Sequence, residues 1–221
     1  MAFDLKRSPW ALPLFLTQAN KNRIGIVTFL VAGSFYVLSN QFHLTPPELL
    51  PMWAADRAVP FIPETVWIYI SEYLFFVAVY VSCRDMVNAN KYLYSFLALQ
   101  VVSVGIFVAW PTTFPRELFP LPEDLDRFTY FAFHTLRQSD TPANCCPSLH
   151  VSSVFLSTYI FLDDQRRKFP FFFIWGLLIA ASTLSTKQHY LVDIIAGFLM
   201  SVLFYWVFHR LIPYRALQAK R

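Results

Sequence analysis

Apolar residues gather along the chain into six blocks, separated by short polar or proline-rich segments. The blocks run over Ile24–Phe42, Trp67–Cys83, Tyr92–Trp110, Pro147–Leu162, Phe171–Thr186 and Tyr190–His209. A helix of about 20 residues crosses the hydrocarbon core of a bilayer. The fourth block is short. The pattern predicts an all-α, polytopic membrane protein with six transmembrane helices. No internal repeat, low-complexity tract or linker interrupts it, so residues 1–221 read as a single domain.

Composition agrees with this pattern. The chain is 56% hydrophobic, 19% aromatic and only 14% charged, with a mean hydropathy of +0.44. A soluble domain of this size needs far more polar surface. The first block follows a polar segment, is long and lacks a small-x-small cleavage site, so it reads as a retained span and not a signal peptide. Three cysteines argue against a disulfide framework. Cys145 and Cys146 are adjacent, where a bridge would be strained, and read as small packed residues.

Charge gives the threading. Lys and Arg are retained in the cytoplasmic loops of membrane proteins. With the N-terminus inside, the inner segments hold thirteen: Lys6, Arg7, Lys21, Arg23, Arg84, Lys91, Arg166, Arg167, Lys168, Arg210, Arg215, Lys220 and Arg221. The outer segments hold five: Arg57, Arg116, Arg127, Arg137 and Lys187. Six crossings then put both termini in the cytoplasm. The net charge of +4 is mostly this bias and does not call for nucleic acid, while the basic tail "HRLIPYRALQAKR" suits contact with anionic lipid. The outer loops are rich in proline and aromatic residues. Within one of them, "EDLDRFTYFAFHTLRQ" predicts an amphipathic helix lying on the membrane before the fourth span.

Candidate chemistry sits at the mouths of two blocks. "CCPSLHVSS" puts Pro147, Ser148 and His150 at the start of the fourth, and "STKQHYLVDIIAGF" puts His189 and Asp193 at the start of the sixth. Two crossings separate the histidines, which therefore return to the same, outer membrane face. His189 and Asp193 are i and i+4, neighbours on one helical face. A carboxylate there accepts the imidazole N–H, fixes the tautomer and raises the basicity of the other nitrogen. Pro147 suits a first helical turn, and Ser148 then offers a hydroxyl and free N–H groups at a positive dipole end, an anion site. Arg116 and Lys187 add positive charge on the same face. Each feature has a plainer reading. A histidine at a span end is commonly interfacial, and His43, His134 and His209 stay in that class. Lys187 and Arg116 also fit as snorkelling residues. His189 and Asp193 could bind zinc only with a third ligand, for which His150 is available, but the nearby cations oppose a metal. Glu72 is a buried-acid candidate without an assignable partner.

Together these residues resemble the type 2 phosphatidic acid phosphatase superfamily. "PSLH" (Pro147–His150) is similar to its PSGH signature with Leu149 in place of Gly. "STLSTKQHYLVD" (Ser182–Asp193) is similar to SRxxxxxHxxxD, with Thr183 at the arginine position. Of the KxxxxxxRP signature, "PTTFPRE" leaves Arg116 as a remnant. The variant motifs, with "DRAVPFIPETVWIYIS", look more like the branch of inositol phosphorylceramide synthases and related bacterial proteins.

The resemblance implies His189 as the nucleophile forming a phosphohistidine, Asp193 as its orienter and His150 as the general acid. Ser148, Lys187 and Arg116 would hold the phosphate, without metal or cofactor. The expected activity is hydrolysis of a lipid phosphate in a bacterial inner membrane, with the active site facing the periplasm and membrane lipids as the surroundings. Transfer to an alcohol acceptor is the alternative within this chemistry. A non-catalytic transporter or scaffold is the alternative outside it, favoured by the missing arginine and the eroded first signature.

Overall fold

A computed structural model describes residues 10–140 and 142–216. Lys6, Arg7, Lys220 and Arg221 of the charge count lie outside the described residues. The chain forms nine α-helices among these residues: α1 (Lys21–Ser39), α2 (Ala54–Ala58), α3 (Val66–Ile70), α4 (Glu72–Ser82), α5 (Met86–Ala109), α6 (Arg127–Ser139), α7 (Leu149–Asp163), α8 (Phe169–Ser185) and α9 (Leu191–Trp206). Four short strands join in two parallel pairs. β1 (Leu12–Leu14) pairs with β4 (Tyr214–Ala216), and β2 (Glu48–Leu49) pairs with β3 (Thr112–Thr113).

Five helical stretches are long and apolar enough to cross a membrane: Lys21–Ser39, Pro63–Ser82, Met86–Ala109, Arg166–Ser185 and Leu191–Leu211. The ends differ by a few residues from the apolar blocks, because caps set helix ends and hydrophobicity does not. Helix α5 shows this most clearly. Its apolar block begins at Tyr92, but Asp85 accepts the Val87 N–H at 2.9 Å and starts the helix at Met86. The second stretch breaks at Ser71, whose hydroxyl bonds the Ile68 carbonyl and receives the Trp175 indole N–H at 3.0 Å.

The fourth block becomes α7, which is shorter than the other five stretches. It stands at the centre, packed by α9, α5, α8 and α4. Twelve of its fifteen residues are buried, which explains why a short helix this polar is tolerated. Its serines face protein, where Tyr92 reaches Ser157 at 2.8 Å and Gln100 donates to Ser153 at 3.2 Å. Around it the outward faces are apolar: Leu30, Val77, Phe171, Ile174, Leu199 and Val202 are all exposed. Exposed apolar belts of this extent need an apolar solvent. The protein is an integral membrane protein.

Pro147 does not occupy the first turn of α7. Ser148 is the N-cap, its hydroxyl accepting the Val151 N–H at 3.3 Å, so the proline stands one residue outside the helix. The amphipathic segment is helical as expected. Helix α6 opens at Asp126, whose carboxylate caps the Phe128 and Thr129 N–H groups at 3.0 Å. It buries Phe133 and Thr129 and exposes Phe128 and Phe131.

Candidate active site

Helices α7 and α9 begin side by side, and this brings the two histidines together. The Ser148 N–H donates to the Asp193 carbonyl at 3.0 Å, locking the two helix starts. The rings of His150 and His189 then stand 5.7 Å apart, centroid to centroid. Asp193, fully buried, accepts on one carboxylate oxygen from His189 Nδ1 at 3.2 Å and from the Tyr190 N–H at 2.9 Å. The i, i+4 spacing thus gives the pairing that it promised. With Nδ1 committed to Asp193, Nε2 of His189 is the nitrogen left for chemistry.

His189 borders a small polar pocket with Tyr36, Arg116, Asp140, Asn144, Cys145 and Gln188. The Arg116 guanidinium is fixed there by Asp140, with one nitrogen 2.8 Å from its carboxylate and the other 2.6 Å from its carbonyl. Tyr36 donates to the same carboxylate. His150 lies on the other side, at the head of an apolar cavity of about 750 Å³ between α1 and α4. The cavity extends past Val37, Gly33, Leu30, Phe29 and Ile26 toward the opposite end of the bundle. A polar pocket therefore meets a long apolar cavity at the two histidines.

Two expected phosphate contacts have other work in this arrangement. Ser148 caps α7 with its hydroxyl and gives its N–H to Asp193. Lys187 sits just beyond the end of α8 with φ 55°. It donates to the carbonyls of Asp56, at 3.0 Å, and Val59, and covers the Phe119 ring at 5.1 Å. Burial pulls its pKa below the ordinary lysine value, against the charge of Asp56. Thr183, at the position of the motif's arginine, is buried and bonds the Ala180 carbonyl. Its own carbonyl accepts the N–H groups of Gln188 and His189 at 3.0 and 3.3 Å. Arg116 is the expected cation that borders the pocket.

Asp56, Asp140, Gln188 and Tyr69 escaped the sequence reading, as did the partner of Glu72. Asp56 accepts the Leu191 N–H at 2.6 Å and the Trp53 N–H at 2.7 Å, tying α2 to the turn that carries His189. Asp140 and Gln188 line the polar pocket, and Tyr69 and Glu72 contact His150. Only Glu72 carried a signal, as a carboxylate inside an apolar block.

A third potential metal ligand does stand beside His189 and Asp193, and it is Cys145: the three ligand atoms lie within 4.8 Å of one another. The donor set suits a metal poorly. The Arg116 guanidinium shares the pocket, and its fixed positive charge opposes a cation there.

The chain matches the PAP2 superfamily over residues 27–207. The chain belongs to the PAP2 superfamily. Both histidines, Asp193, Arg116 and Glu72 fall within the matched region. Members of the superfamily are typically phosphatases or phosphotransferases, and membership points to that activity here. A search of curated proteins returns no match.

Proposed function

We propose that the protein is a lipid phosphate phosphatase that works through a phosphohistidine on His189. The observation that carries this reading is the meeting of the polar pocket and the apolar cavity at His189 and His150. The phosphate takes the polar side beside Arg116, and a hydrocarbon chain of the lipid takes the cavity. The scissile P–O bond then falls between the two imidazoles.

Nε2 of His189 attacks phosphorus while Asp193 holds Nδ1–H and stabilises the positive charge that develops on the ring. His150 protonates the departing lipid alcohol. Water then enters, gives up a proton to His150 and displaces phosphate from His189. Arg116, held by Asp140, supplies fixed positive charge to the transferring group. The Arg116 guanidinium meets the electrostatic need, so no metal is assigned. Helix α7 is the fourth of six spans, α6 rests on the membrane surface through Phe128 and Phe131, and the site faces outward with both termini inside. In a bacterium this is the periplasmic face of the inner membrane.

The test is phosphate release from a panel of lipid phosphates by the purified protein, with and without alcohol acceptors. Release of inorganic phosphate that His189→Ala abolishes, with an acid-labile phosphoenzyme in the wild type, is the expected result. Phosphate recovered only on the alcohol would make the protein a phosphotransferase. Absence of turnover on every phosphorylated lipid would favour a non-catalytic member.

A further inference from the structure

The residues around His150 contain an acid that its own helix does not supply. Within α7 the only acidic residue is Asp163, at the far end. The neighbour of His150 is Glu72, the first residue of α4, with one carboxylate oxygen 3.1 Å from Nε2. Glu72 is 5% exposed, and its second oxygen has no partner among the described residues. Tyr69, one helical turn earlier, brings its hydroxyl to 2.7 Å from the same Nε2 and packs its ring 4.6 Å from the imidazole. Two residues on one face thus hold one nitrogen of His150.

We propose that Glu72 is the positioning residue of His150, holding Nε2 so that Nδ1 delivers the proton to the leaving oxygen; this rests on the phosphoryl-transfer reading above. A carboxylate within an apolar segment is costly and needs a compensating partner. An imidazolium is such a partner, and His150 must be one at the moment the leaving group departs.

The two histidines are then held through opposite nitrogens, His189 by Asp193 at Nδ1 and His150 by Glu72 at Nε2. In the first step the N–P bond forms at His189 Nε2 and the P–O bond breaks. The bonding electron pair leaves on the lipid oxygen, which takes the His150 proton. In the second, water loses a proton to His150 as its oxygen bonds to phosphorus and the N–P bond breaks. His150 cycles between charged and neutral forms, and Glu72 holds the ring in one orientation throughout.

The experiment compares Glu72→Gln and Glu72→Asp in the full-length protein on dioleoyl phosphatidate and on p-nitrophenyl phosphate. General-acid help is typically worth about 10²–10⁴-fold. Glu72→Gln is expected to lose roughly 10²-fold in kcat/KM on the lipid, a part of that range; this parameter reports the first step, where His150 is the acid, and not the second, which both substrates share. The loss should shrink to a few-fold on the aryl ester, whose leaving group needs no proton. Glu72→Asp should recover part of the rate, and Glu72→Gln should add nothing in a His150→Ala background. Equal losses in kcat/KM on both substrates, or losses that multiply with His150→Ala, would overturn the proposal and leave the phosphatase reading intact. Imidazole ¹⁵N spectra provide a measure that needs no turnover. Glu72→Gln should move the His150 ring resonances, assigned by their loss in His150→Ala, and leave those of His189 in place. Unmoved His150 resonances would sink the proposal even if no substrate were turned over.

Discussion

Gly197 of α9 faces the carbonyl of Ser148 so closely that a methyl group on it would stand 2.5 Å from that oxygen. The Ser152 N–H group is nearly as near, at 3.3 Å to its nitrogen. The obstacle is backbone at the start of α7, which has no rotamer to yield. Four residues earlier on α9, Asp193 orients His189 and accepts the Ser148 N–H. The glycine therefore sets the distance at which the two histidines meet.

Gly197→Ala should force α9 away from α7. Overpacking of this kind typically costs about 1–3 kcal/mol, and here the displaced helix carries His189. The expected outcome is a lower unfolding temperature in detergent together with a fall in kcat. Gly105→Ala is the control, since a methyl group there meets nothing within 4 Å. It should leave both measurements unchanged or slightly raise stability, as alanine is the better helix former. Equal behaviour of the two variants would remove Gly197 from the account of the site.

Lys187 separates a structural role from a catalytic one. Its ammonium clamps the carbonyls of Asp56 and Val59, while Asp56 in turn caps Leu191. Lys187→Ala should lower thermal stability and change kcat by no more than a few-fold once the protein is folded. Lys187→Arg should recover part of the stability only, because a planar guanidinium matches two carbonyls differently from an ammonium. A loss of about 10²-fold in kcat with unchanged unfolding temperature would return Lys187 to the phosphate, as the motif resemblance implied.

Arg116 and Asp140 can be told apart by rate. Removal of one preorganised donor to a developing anion costs about 10²–10³-fold in kcat, and Arg116→Ala should fall in that range. Asp140 does not serve the phosphate directly; it holds the guanidinium at 2.8 Å. Asp140→Asn keeps an oxygen acceptor and should lose less than Arg116→Ala, with no further loss when the two are combined. Multiplying losses would mean that Asp140 has a function apart from Arg116.

These relationships mark where the sequence stopped being legible. Apolar runs located the spans, and the His189–Asp193 pair followed from helical spacing alone. Counting crossings brought His150 to the same end of the bundle. What remained hidden depends on the paths of the outer loops and on helix rotation. Asp56 meets Leu191 only because α2 folds across the turn after α8, and no local pattern encodes that. Glu72 was conspicuous as a carboxylate in an apolar block, but its partner depends on how α4 turns against α7. The contacts of Lys187 were hidden for the same reason: its place in the chain beside His189 does not encode the hydrogen bond it makes to the Asp56 carbonyl.

Orientation in the membrane makes the last prediction, and the protein's own cysteines leave the experiment a quiet background. Cys83, Cys145 and Cys146 are free and buried. Burial pushes the Cys146 thiol up to about 12 and Cys145 well above its ordinary value, so both stay protonated and unreactive toward maleimide near neutral pH. A single introduced cysteine then reports its own side. Glu123 lies exposed in the loop between α5 and α6, and Ala19 lies exposed just before α1, at the opposite end of the bundle. The thirteen-to-five distribution of basic residues predicts Glu123 outside and Ala19 inside. Glu123→Cys should therefore react with a membrane-impermeant maleimide in intact cells, whereas Ala19→Cys should react only after the membrane is opened. The reverse pattern would turn His150 and His189 toward the cytoplasm, because they share an end of the bundle with the Glu123 loop. The chemistry assigned to them would stand, but the lipid phosphate would have to be presented from the inner leaflet.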